Sequence, residues 1–161
     1  MIIVADTTPL SELAKIKQLD LLQKVYSKIL IPPEVYQEII TGEHPAKHLI
    51  KSVNWIEIYQ VSQPDKIITL RNITELDLGE CAAIILAEEL KAKRVLIDDL
   101  EARKVAISRN LPVTGTVGTL LIAKQLGIIT IVKPLLDALI NQGTRISPTL
   151  YQKVLVIAQE S

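Results

Sequence analysis

Short β-branched runs alternate along this chain with longer segments of helical periodicity, a pattern that points to βαβ units wound around a parallel sheet. The strand-like runs are residues 2–5, 28–31, 56–61, 94–97 and a short one at 112–114. After the first of them, Thr8 can cap a helix with Pro9 in its first turn and an apolar stripe of Leu10, Leu13, Ala14 and Leu21. Pro32 and Pro33 end the second strand and preset a helix over 34–40. Residues 77–90 form the strongest helix signal. From Cys81 to Ala87 they are apolar on every side, as in a buried central helix. Three further helices are expected: 118–125, 134–141 ended by Gly143, and one opened by Ser147-Pro148.

A length of 161 residues suggests one domain over 1–161, with a helical C-terminal extension from about 115, large enough to bury a core without disulfides or a structural metal. Eighteen basic and eighteen acidic side chains cancel, which argues against broad wrapping of duplex nucleic acid and leaves only local contact. Aromatics make up 3% and Phe is absent, so the core must be aliphatic, and the composition argues against a base-stacking platform of the single-strand-binding kind. Cys81, the only cysteine, forms no intrachain disulfide, and two histidines do not make a zinc framework. A reducing cytoplasm fits this usage, and no apolar stretch reaches the length of a membrane span.

In open parallel sheets the ligand crevice lies at the carboxyl ends of the strands, where strand order reverses. Asp6 ends the first strand, and Asp98 and Asp99 end the fourth. If those strands are neighbours, three carboxylates converge, and Glu80 can join them from the central helix. Asp77 and Glu80 also have the spacing of a capping box, so an end-capping role stands beside the functional one. Asp6 alone reads as a turn or cap residue, and Asp98-Asp99 alone as a helix cap. Together they imply more, because clustered carboxylates repel strongly unless a hard, oxygen-seeking cation such as Mg²⁺ or Mn²⁺ neutralises them. Such a cation orients water and stabilises a transferring phosphoryl group, chemistry suited to phosphodiester hydrolysis without a His or Cys nucleophile.

Weaker candidates surround these. Glu38 follows Glu34 by one turn and can equally lie on a solvated face. The run Thr114-Gly115-Thr116-Val117-Gly118-Thr119 can offer backbone N–H groups and hydroxyls, Thr116 among them, to an anion, or simply form a turn and cap. Arg103 can hold a phosphate or pair with Glu101.

The segments Val4-Ala5-Asp6-Thr7-Thr8-Pro9-Leu10, Pro33-x-x-x-x-Glu38, Leu78-Gly79-Glu80-Cys81-Ala82-Ala83 and Val95-Leu96-Ile97-Asp98-Asp99 occur in the order that resembles the PIN-domain nucleases. Residues 101–106 and 115–124 resemble a VapC-like prokaryotic branch of that superfamily. The resemblance implies an α/β/α sandwich with strand order 3-2-1-4-5. It implies a Mg²⁺- or Mn²⁺-dependent ribonuclease with its metal site on Asp6, Glu38, Glu80 and Asp98, and with Asp99 as an alternative ligand. Asp6 and Asp98 would bind the principal ion, Glu80 complete its shell, and Glu38 position water or a second ion. Thr7, Arg103 and Thr116 are the candidate substrate contacts. The resemblance further implies RNA as substrate, a homodimer, and a role as the toxin of a pair silenced by a small antitoxin. Two features depart from the usual pattern, the adjacent Asp98 and Asp99, and the Gly-Thr segment with the long C-terminal extension, which ordinary toxins of this type lack.

Two other readings compete. A non-catalytic PIN-like binding or regulatory module would keep the fold and act through partners. A haloacid-dehalogenase-like phosphatase would use Asp6 as nucleophile, but that chemistry needs a general acid two residues later, where Thr8 has no carboxyl proton to give.

Overall fold

The structure, a computed structural model, describes residues 1–161. Its strands are β1 (Ile3–Ala5), β2 (Ile29–Ile31), β3 (Ile56–Ile58), β4 (Arg94–Leu96) and β5 (Val113–Thr114). They form one all-parallel sheet in the order β3-β2-β1-β4-β5. β1 is therefore central, and the crevice where strand order reverses opens between the carboxyl ends of β1 and β4. β1 and β2 are wholly buried, as expected of strands covered on both faces.

The helices are α1 (Thr7–Lys15), α2 (Leu21–Tyr26), α3 (Pro33–Thr41), α4 (Asp65–Thr74), α5 (Leu78–Leu90), α6 (Leu100–Ser108), α7 (Thr116–Gln125), α8 (Lys133–Asn141) and α9 (Pro148–Ile157). None is long and apolar enough to cross a membrane. They cover both faces of the sheet, and the strand pleat divides the core accordingly. Ile3, Ala5 and Leu96 pack with residues of α1, α2, α3, α7, α8 and α9, whereas Val4, Val95 and Ile97 face α4, α5 and α6. The result is the three-layer α/β/α sandwich expected from the sequence. α5 lies against β1, β4, α3, α4 and α6, which explains why Gly79 to Ala87 are buried around its whole circumference.

Some expected boundaries moved. The third strand stops at Ile58 rather than 61, because it is an edge strand with Glu57 and Ile58 exposed. Tyr59 N–H still donates to Ile31 O at 2.9 Å before the chain turns and Val61 enters the opposite core layer. The first helix begins at Thr7 with Asp6, not Thr8, at its N-cap, and it ends at Lys15. Leu21 belongs to the separate α2, reached through a left-handed Lys17 (φ 58°). α4 was not foreseen. α7 begins two residues early, at Thr116, with Gly115 as its cap.

The last helices are fastened by Glu160. Its carboxylate accepts from Lys124 Nζ on α7 at 2.8 Å, and from Val132 N–H and Lys133 N–H at the start of α8 at 2.8 and 2.9 Å. Burial pushes this carboxyl up, but the three donors outweigh it and hold the pKa down to about 2. Glu160→Gln is expected to lower stability by about 1 kcal/mol, as for loss of a helix cap. Because the folded pKa is depressed, the contribution is complete above the unfolded value of about 4.5 and is lost as pH falls toward 2. Urea denaturation of parent and variant at pH 7 and pH 3 checks this: the gap between them should narrow at the lower pH.

Candidate metal centre

Asp6 is the first residue beyond β1 and the N-cap of α1, so the end of a buried strand and the start of a buried helix fix its position. Its N–H donates to Leu96 O of β4 at 3.0 Å, which holds the β1 and β4 ends together. The side chain is 4% exposed, and Oδ1 is buried with no hydrogen-bond partner. An orphan acceptor of this kind is costly in a folded chain unless something else fills its coordination. Burial raises the carboxyl well above its ordinary pKa, and the Asp77, Glu80 and Glu38 charges push it further, against the Thr7 amide.

Glu38 comes from α3, which Pro33 opens at its first position. It is half-buried rather than on a solvated face, and its Oε2 accepts from Thr7 Oγ1 at 2.5 Å. Thr7, the candidate substrate contact, therefore holds a carboxylate in place. On α5 the capping box is formed in full. Glu80 N–H donates to Asp77 Oδ1 at 2.7 Å, and Asp77 N–H to Glu80 Oε1 at 3.1 Å. Glu80 is at the same time buried at 9% exposure, and its pKa is raised to about 7, first by burial and then by the Asp77, Asp99 and Glu38 charges. The capping role foreseen for Glu80 is thus formed by a carboxylate that is also buried beside other acidic groups.

Asp6, Glu38 and Asp77 close around one point, Gly79. A Cβ built there would lie 2.9 Å from Glu38 Oε2 and 3.6 Å from both Asp6 Oδ1 and Asp77 Oδ1.

Asp98 is oriented differently. Thr116 N–H donates to its Oδ1 at 2.7 Å and Thr116 Oγ1 to its Oδ2 at 2.6 Å, so the anion held at the start of α7 is Asp98 itself. Burial raises its pKa; Thr116 opposes this, the Glu12 charge adds to it and Arg103 counteracts it. Arg103 does not pair with Glu101, which Lys104 engages, but donates from Nη1 to Ile97 O at 3.0 Å. Gly115 permits this closure, since a Cβ there would fall 2.6 Å from Asp98 Oδ1 and 2.9 Å from Arg103 Nη1. Asp99 caps α6 through Ala102 N–H at 3.0 Å. Two carboxylates were not singled out from the sequence as site groups: Asp77, read only as a cap, and Glu12, the one acidic residue of α1. Glu12 is buried and accepts from Thr144 Oγ1 and Lys15.

As the side chains stand, no three Asp, Glu, His or Cys groups are arranged to hold an ion between them. Glu38, Asp77, Glu80, Asp98 and Asp99 each accept a hydrogen bond from a donor of the chain. Asp6 keeps one oxygen free. That buried unpaired oxygen, with further carboxylates beside it and no sulfur or imidazole, fits a hard divalent cation and no soft one.

A cleft of about 960 Å³ is lined by Asp98, Asp99, Arg103 and Thr116, and by Arg145 of the α8–α9 loop and Lys153 of α9. A smaller one of about 590 Å³, lined by Lys66, Glu88, Glu89 and Arg109, contains none of the carboxylates above.

The family model DUF3368, described as a PIN domain, matches residues 2–160. The chain belongs to this PIN-domain family. No curated protein and no solved structure matches it. PIN domains are generally metal-dependent nucleases, and in this PIN domain the carboxylates around Asp6 stand at the end of the central strand, where the fold places its ligand crevice. The buried, unpaired oxygen of Asp6 is the point of that crevice best prepared for a cation.

Proposed function

We propose that this PIN domain is a Mg²⁺- or Mn²⁺-dependent endoribonuclease that hydrolyses single-stranded or structured RNA. The single observation that carries this reading is Asp6 Oδ1, buried and without a partner among like-charged carboxylates at the carboxyl end of β1. Asp6, with Glu38 and Glu80 nearby, would hold the ion; Asp99 lies close enough to Glu80 for their charges to interact, while Asp98, beyond β4, is held by Thr116. The ion supplies a water of lowered pKa and positive charge for the transferring phosphoryl group. The chain's own groups do the rest. Thr7 fixes the Glu38 carboxylate, and Asp77 fixes Glu80 through the α5 cap. Arg103 and Thr116 line the cleft at Asp98, and Arg145 and Lys153, neither in an ion pair, line it as well, as charges for RNA phosphates. With a net charge of zero, binding of RNA would rest on these local contacts.

A role as the toxin of a toxin–antitoxin pair, a homodimer and a small protein antitoxin are carried by the resemblance of the ordered acidic motifs to PIN-domain nucleases, with the Gly-Thr segment and C-terminal extension counting against the toxin role, and a cytoplasmic site of action is carried by the single unpaired Cys81. One observation favours a second reading, a non-catalytic binding module: both oxygens of Asp98 are taken by Thr116.

Incubation of a mixed-sequence single-stranded RNA with purified protein and Mn²⁺ separates the two. The nuclease reading expects fragments with 5′-phosphate and 3′-hydroxyl ends, absent in EDTA. Intact RNA under saturating Mn²⁺ would sink it in favour of the binding module.

A further inference from the structure

The α5 cap does more than end a helix. Gly79 is the second residue of α5, a position with no left-handed backbone to explain a glycine, in a helix otherwise built of good formers. A side chain there would displace the Glu38 carboxylate first, at 2.9 Å, while meeting Asp6 and Asp77 only at ordinary contact distance. The missing Cβ therefore leaves a small hollow beside Gly79 that an oxygen of each of three carboxylates faces, too tight for a methyl group while Glu38 stands where it does. Independently, the Asp6 oxygen facing that hollow is the one buried carboxylate oxygen in the protein with no partner. Asp77 is exposed, so the hollow is reached from solvent on its side.

We propose that Asp77 is a direct ligand of the divalent cation and that Gly79 is the residue that makes room for it, so the α5 cap contributes to the metal centre through Asp77 as well as Glu80. This rests on the metal-centre reading above. As they stand the three carboxylates do not encircle an ion, so binding would turn Glu38 and Asp77 toward Asp6 Oδ1; Asp77 Oδ1 already accepts from Glu80 N–H, which leaves its second oxygen for the ion. Three carboxylates around one small space repel one another, and a divalent cation offsets that repulsion.

Two substitutions separate this role from capping. Asp77→Asn keeps an equally good N-cap and removes only the charge and the strong ligand. Gly79→Ala raises helix propensity and requires only the flexible end of Glu38 to shift. Titration calorimetry with Mn²⁺ and thermal unfolding in EDTA are read together, with the parent and Asp6→Asn alongside. The expected result is Mn²⁺ affinity at least about tenfold weaker in both variants, with melting in EDTA unchanged or raised. Parent-like affinity in Asp77→Asn, with the parent binding Mn²⁺ and Asp6→Asn not, would overturn the ligand role of Asp77 while leaving the metal centre standing. Parent-like affinity in Gly79→Ala would overturn the hollow. No Mn²⁺ binding by the parent would overturn this inference and the metal-centre reading together.

Discussion

Asp6→Asn is expected to eliminate Mn²⁺-dependent RNA cleavage and, in the same protein, to raise the melting temperature in EDTA. The two effects have one cause. Asp6 is 4% exposed and pushed well above the normal carboxylate range by burial and by Asp77, Glu80 and Glu38, so its charge is a burden on the metal-free fold. Asn keeps the size and removes that burden. It is a poorer ligand for a hard cation, and no other group in the crevice offers a buried free oxygen. Residues that only orient metal ligands typically cost about 10–100-fold in activity or affinity when replaced, so loss of the central ligand is expected to exceed about a hundredfold. Cleavage rates and melting curves on the same preparations check both parts. A stabilised variant with undiminished cleavage would remove Asp6 from the site.

Acidification from pH 7 to pH 5 should weaken Mn²⁺ binding by about tenfold per pH unit for each proton the ion must displace. Glu80 sets the window. Its pKa is about 7 in the folded chain against 4.5 as an ordinary carboxyl, so below pH 7 the metal competes with a proton at this group. Asp6, raised in the same direction, adds a second proton to the competition. The sign for the metal-free protein is the opposite one. Between pH 4.5 and 7 the folded state binds protons that the unfolded state has released, so the contribution of Glu80 to stability falls as pH rises through that range. Melting curves at pH 5 and pH 8 should therefore show the EDTA-treated protein losing stability toward pH 8 and the Mn²⁺-saturated protein gaining it. Parallel pH dependences with and without Mn²⁺ would mean that Glu80 and Asp6 do not sense the ion.

Much of this site is legible from local pattern. Buried parallel strands are continuous apolar runs, so the polar residues ending them, Asp6 and Asp98, stand out, and the Asp77–Glu80 spacing announces the cap that the structure forms. What escapes is set by distant contacts. Asp98 and Thr116 are eighteen residues apart in sequence, and their pairing depends on how β5 delivers the start of α7, which periodicity does not describe. Likewise the meeting of Glu38 with Gly79 requires α3 packed on α5, so the carboxylate role of Asp77 stays hidden behind its capping signal. Among the helices, α4 is missed because only Ile67 and Leu70 of its ten residues are buried, too few to mark an apolar stripe. The α1–α2 break turns on Lys17 in a left-handed conformation, for which lysine gives no signal.

The most direct test of the account is anomalous diffraction from crystals of the protein grown with Mn²⁺. The account predicts a manganese peak about 2.2 Å from Asp6 Oδ1, with Glu38 or Glu80 turned toward it. A well-ordered Asp6 with no peak beside it at saturating Mn²⁺, or a peak held only by groups elsewhere in the molecule, would contradict it.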